Sequence, residues 1–168
     1  PGDLVAREVN SPALRKMFEE FEFASFLAAM EGEASPVASS AQVDRSSYEA
    51  ILTEKTFDRL IKNLNKAKSF ALDLETTSKY PVWARAVGVS FSFKEGKAYY
   101  IPLAHRYLGV PDQLNSKMVF DRLKPILEDP AIKKCGQNIK YDLIVLAKEG
   151  VYLKGIDFDT MIASYLLN

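Results

Sequence analysis

Residues 70–76 read FALDLET. Successive side chains of a strand point to opposite faces. Phe70, Leu72 and Leu74 therefore share one face, and Ala71, Asp73 and Glu75 share the other. Two like charges side by side repel, and burying either one unpaired is costly. Such a pair persists where something positive sits between its members, most often a divalent cation.

Around this segment the pattern predicts a mixed α/β domain from Tyr48 onward. TEKTFDRLIKNLNKA (53–67) is an amphipathic helix, with Thr53 as cap and Phe57, Leu60, Ile61 and Leu64 on one stripe. SFALDLE (69–75) is the first predicted strand. AVGVSFSF (86–93) and KAYYIPL (97–103) follow, joined by a short turn at 94–96. Next come a helix over 116–128, a short strand over 132–135 and a helix over 140–149 ended by Gly150. The last predicted helix spans 158–167. Adjacent antiparallel strands followed by alternating helices and strands imply a mixed sheet with helices packed on it.

Upstream, residues 11–30 have roughly helical apolar spacing, and Phe21, Phe23 and Phe26 make them too apolar for a free surface helix. Residues 31–47 are small and polar and read as a linker. No apolar run approaches the ~20 residues that span a membrane. One cysteine, Cys135, excludes an internal disulfide, and with one histidine, His105, it leaves too few ligands for a Cys/His zinc site. Oxygen ligands favour Mg²⁺ or Mn²⁺. The zero net charge hides a balance of −5 over residues 1–50 and +5 over residues 51–168. The basic part is compatible with a polyanionic partner, as it is with an ordinary solvated face.

A second stretch, CGQNIKYD (135–142), follows a short strand and opens a helix, where backbone N–H groups are free. Taken alone, Asp142 reads as a first-turn helix acid and Asn138 as a cap. Taken together, FALDLET and GQNIKYD resemble the first and second motifs of the 3′–5′ proofreading exonuclease domain of family A DNA polymerases, the bacterial DNA polymerase I group. VGVSFSF, YYIPLAHRYLGVPDQL, LKPILEDP and GIDFDTMIASYLLN resemble the same domain in the same order. The resemblance covers residues 48–168, and residues 1–30 resemble the helical tail of a preceding 5′-nuclease domain.

The resemblance implies a ribonuclease H-like fold, a mixed sheet flanked by helices, with two Mg²⁺ or Mn²⁺ ions in the complete domain. It implies that Asp73 binds both ions, that Glu75 binds one and orients the attacking water, and that Asp142 holds the second. It places Thr76, Gln137 and Asn138 against the terminal nucleotide of a single-stranded DNA 3′ end, with Tyr141 beside them. The family's apolar base wedge falls at Lys79, so stacking is expected from Tyr80. Leu74 replaces a common Thr between the acids. A third motif, a Tyr and an Asp four residues apart, is expected beyond Asn168, in a longer chain that also carries a polymerase domain. By that reading the isolated chain is a weakened or inactive nuclease that exposes apolar surface, tends to self-associate and belongs in the bacterial cytoplasm. A ribonuclease D-like exoribonuclease and a chemically silent scaffold are the competing readings. Asp159 reads as a helix cap and His105 as structural, while Trp83 could stack on DNA or anchor its loop.

Overall fold

The computed structural model describes residues 11–21, 23, 26–27, 30 and 47–167. The chain divides into two units, residues 1–43 and 44–168. In the first, α1 (Ser11–Glu20) is shorter than the predicted 11–30 helix. The chain turns at Phe21, and the Phe23 N–H donates to the Phe18 carbonyl. This lets Phe18 stack on Phe26 at 5.2 Å and meet Phe23 at 6.1 Å. The aromatic excess is thus partly spent within the segment, although Phe21, Phe23 and Phe26 stay exposed. Residues 1–10 and 31–46, which include almost all of the predicted linker, lie outside the described residues.

The second unit holds β1 (Tyr48–Ala50), α2 (Glu54–Lys66), β2 (Ser69–Thr76), β3 (Ala86–Lys94) and β4 (Lys97–Pro102). After these come α3 (Ser116–Leu127), β5 (Lys133–Gly136), α4 (Lys140–Lys148), β6 (Ile156–Asp159) and α5 (Thr160–Leu167). Thr53 caps α2 as expected: its hydroxyl accepts from the Thr56 N–H, and the Thr56 hydroxyl answers the Thr53 N–H. The strands form one sheet in the order β1-β4-β3-β2-β5-β6. β2, β3 and β4 pair antiparallel, while β1–β4, β2–β5 and β5–β6 are parallel.

Two strands escape the sequence pattern. β1 is only three residues long and is held by pairing with β4. β6 takes Phe158 and Asp159 from the start of the predicted last helix, which begins instead at Thr160. All four β6 residues are at least partly exposed, so no alternation marks the strand, and pairing with β5 makes it. The turn into β6 needs Gly155, which sits at φ +72°; a Cβ there would lie 2.4 Å from the Ile132 carbonyl oxygen.

The faces of β2 separate as the alternation requires. Phe70, Leu72 and Leu74 are buried together with Val89 and Phe91 of β3 and Ile101 of β4. α2 adds Phe57, Leu60 and Leu64 to this core, α3 adds Phe120 and Leu123, and α4 adds Val145 and Leu146. The opposite face carries Asp73, Ser90 and Ser92, and it opens into a groove of about 510 Å³ that Gln137 and Thr160 also line. α5 buries none of its residues, and Tyr165, Leu166 and Leu167 are exposed.

Candidate active site

β2 presents Asp73 opposite Ser90, and Glu75 opposite Gly88. Both acids are exposed on the open face. Among the described residues, no side-chain donor or cation pairs with either carboxylate. Partial desolvation and then the charge of Glu75 raise the proton affinity of Asp73. That is the repulsion expected of an acid pair with nothing positive between its members.

Asp142 reaches the same place from α4. The pairing of β5 with β2 extends only to Ala71, so the Leu74 N–H lies past its end. The Asp142 Oδ1 accepts that N–H at 3.0 Å, and the residue is 2% exposed. Burial, followed by the charge of Asp73, pushes its pKa up to about 7 against the pull of the Leu74 hydrogen bond. Three acids from two elements therefore act on one another electrostatically. They do not form a ready cage: among the described residues no group of three or more potential ligands is gathered for a metal. The donor chemistry still fits a hard divalent cation. All donors are carboxylate oxygens, their charges oppose one another, and none is neutralised by an ion pair.

The other predicted site residues divide. Thr76 and Tyr141 bond to each other at 2.5 Å, and both hydroxyls also reach the Ser78 carbonyl. They tie α4 to the loop after β2, directly beside the acids. Gln137 takes a hydrogen bond from Thr160 at the rim of the groove. Asn138 adopts φ 55°, a left-handed conformation that Asn tolerates better than most residues, and its side-chain Oδ1 is buried with no partner. Tyr80 is exposed and meets Trp83 edge-on at 5.6 Å, with the Lys79 ammonium 5.2 Å from its ring centroid. Trp83 is 75% exposed, and its backbone N–H donates to the Tyr80 carbonyl within the loop. Lys148 ties the loop to α4, donating to the Val82 and Ala84 carbonyls.

Asp159 caps α5 through the Met161 and Ile162 N–H groups. It also accepts the Asn138 and Ile139 N–H groups at the entry to α4. Burial works to raise its pKa, but these four backbone donors outweigh it and hold the carboxyl below the usual range. The second half of this role was not legible in the sequence, since 20 residues separate Asp159 from the junction it braces.

A mixed sheet of this order, with helices packed on it, is the ribonuclease H-like fold. The chain belongs to the 3′–5′ exonuclease family, whose model matches residues 48–168. The family is generally dependent on a divalent metal. The DNA polymerase I of Pseudomonas aeruginosa is 40% identical over 168 residues, covering 96% of this chain and 18% of that protein. The DNA polymerase I of Rhizobium leguminosarum is 34% identical over 143 residues, covering 74% of this chain and 14% of the relative. The chain thus spans less than a fifth of the length of either relative. Among solved structures, the Aedes aegypti Nibbler EXO domain superposes with TM-score 0.55 at 12% identity, over 75% of this chain and 58% of that one. The POL domain of Pol1 from M. smegmatis, in complex with DNA primer-template and dNTP, gives TM-score 0.53 at 21% identity, over 71% of this chain and 19% of that one. At these identities both show the fold. Among the described residues no helix is long and apolar enough to cross a membrane.

Proposed function

We propose that this chain is the proofreading exonuclease module of a bacterial DNA polymerase I and removes 5′-mononucleotides from a single-stranded DNA 3′ end. The observation that carries the reading is the unneutralised pair Asp73 and Glu75, side by side on an open sheet face with Asp142 behind them. Asp73 and Glu75 would hold Mg²⁺ or Mn²⁺ from β2, and Asp142 would do so from α4. Bound there, divalent cations supply the charge that activates a water and offsets charge on the leaving 3′ oxygen.

The remaining residues bind and orient. The unpartnered Asn138 Oδ1 is an acceptor suited to a sugar hydroxyl. Gln137 lies at the groove rim beside it, and Tyr80 offers a ring face to the terminal bases. Stacking of that kind is worth ~1–3 kcal/mol per base. Thr76 and Tyr141 hold the loop and helix that carry these groups in register, next to the terminal nucleotide. Residues 1–30 are the tail of a preceding 5′-nuclease domain, and residues 31–47 link it to the exonuclease domain of residues 48–168. This assignment is supported by the Pseudomonas match, which extends well upstream of residue 48. The polymerase domain is the module's partner in the longer chain.

The test is release of mononucleotides from matched 3′-labelled DNA and RNA oligonucleotides with Mn²⁺. It would be run on this chain and on a longer polypeptide that contains it. Preference for DNA is expected, and equal or better hydrolysis of RNA would move the protein to the ribonuclease D-like reading. Inertness of the longer protein on both would leave a scaffold. The exposed side chains of α5 support self-association of the isolated chain. Its sedimentation coefficient should rise with concentration, and a constant monomer value would remove that expectation.

A further inference from the structure

The open face holds one more polar group, which the acids alone do not explain. Tyr100 lies on β4 opposite Ser90, so it shares the face of Asp73 and Glu75. Its ring leans over Gly88: a Cβ on that glycine would sit 1.9 Å from the phenol oxygen. Gly88 is the direct cross-strand partner of Glu75. Directly opposed residues have Cβ atoms ~4.5–5.5 Å apart. The phenol oxygen therefore occupies the place of the missing Gly88 Cβ, beside the Glu75 carboxylate but not hydrogen-bonded to it, so that one water or a rotation of the carboxylate would join them. The charge of Glu75 is felt at the phenol, where it adds to burial in raising the Tyr100 pKa.

The other side of the hydroxyl is braced. His105 Nε2 lies 2.5 Å from it. The His105 backbone is clamped by Gln113, which accepts its N–H at 2.8 Å and donates to its carbonyl at 2.9 Å. In the tautomer that carries its hydrogen on Nε2, His105 donates to the phenol oxygen and the Tyr100 O–H is left to donate across the face. Resting on the reading of Asp73 and Glu75 as metal-holding acids, we propose that Tyr100, braced by His105, is a positioning residue that fixes the Glu75 carboxylate by hydrogen bonding. Gly88 is then required because any side chain there would displace the phenol.

The test uses this chain, ¹³C-labelled at glutamate, with Tyr100→Phe, His105→Phe and the remote control Lys117→Ala. Tyr100→Phe keeps the ring over Gly88 and deletes only the hydroxyl. The Glu75 carboxyl resonance is expected to move in Tyr100→Phe, to move in the same direction in His105→Phe, and to stay in place in Lys117→Ala. In a parallel Mn²⁺ titration followed by EPR, Tyr100→Phe should weaken binding about 10-fold or more, the range for loss of a residue that orients a ligand. An unmoved Glu75 resonance, or Mn²⁺ affinity within twofold of the parent, overturns the proposal. If the parent itself binds no Mn²⁺, the reading of the acids as a metal site fails for this chain. The resonance then still decides whether the Tyr100–Glu75 contact exists.

Discussion

Replacing Asp73 with alanine is expected to reduce mononucleotide release by more than about 100-fold, because disturbing a residue that merely orients a ligand already costs 10–100-fold. The same substitution should not unfold the protein. Asp73 is exposed on the open face, and no side-chain donor or cation pairs with its carboxylate among the described residues. Its charge raises the proton affinity of Asp142, and Glu75 in turn raises that of Asp73. Removing it relieves repulsion, so the melting temperature should hold or rise while activity is lost. A melting temperature lowered in step with activity would mean that Asp73 supports the fold and not the chemistry. Retained activity would remove it from the site.

Without metal, the stability of the folded chain is expected to fall as pH rises from about 4 to about 7. An Asp in an unfolded chain gives up its proton near ~3.9, whereas burial and the Asp73 charge keep the Asp142 proton on in the folded chain until about 7. Between these values the folded state binds more protons than the unfolded state, so the slope of stability against pH is negative. Below the window both states are protonated and the penalty vanishes. Above it both are ionised and the penalty is complete. Asp73, also raised, acts with the same sign. Thermal melts in EDTA should show the decline, and Asp142→Asn should flatten it while keeping an oxygen for the Leu74 N–H. Mg²⁺ or Mn²⁺ should restore stability at the high-pH end, where all three acids are charged. An Asp142→Asn profile as steep as the parent's would place the titration elsewhere.

Local patterning determined a good part of this molecule. The alternation in FALDLET set both faces of β2, and Phe70, Leu72 and Leu74 are buried while Asp73 and Glu75 are exposed. The helical stripe of residues 57–64 and the Thr53 cap were equally legible, because period and cap are properties of neighbouring residues. The resemblance of FALDLET and GQNIKYD to the family's motifs marked the three acids, and the structure brings Asp142 against the backbone of β2 between Asp73 and Glu75.

Tertiary structure decided what depends on a distant partner. β1 and β6 are strands only because β4 and β5 offer free edges. The Asp142 carboxylate turns to the Leu74 N–H because β5 pairs with β2 only as far as Ala71. Asp159 braces a junction 20 residues away, and Tyr100 stands over Gly88 because the antiparallel register puts a residue without a side chain beneath its ring. Periodicity reports which face a side chain takes. Strand pairing and register, which arise from contacts remote in the chain, settle what it meets there.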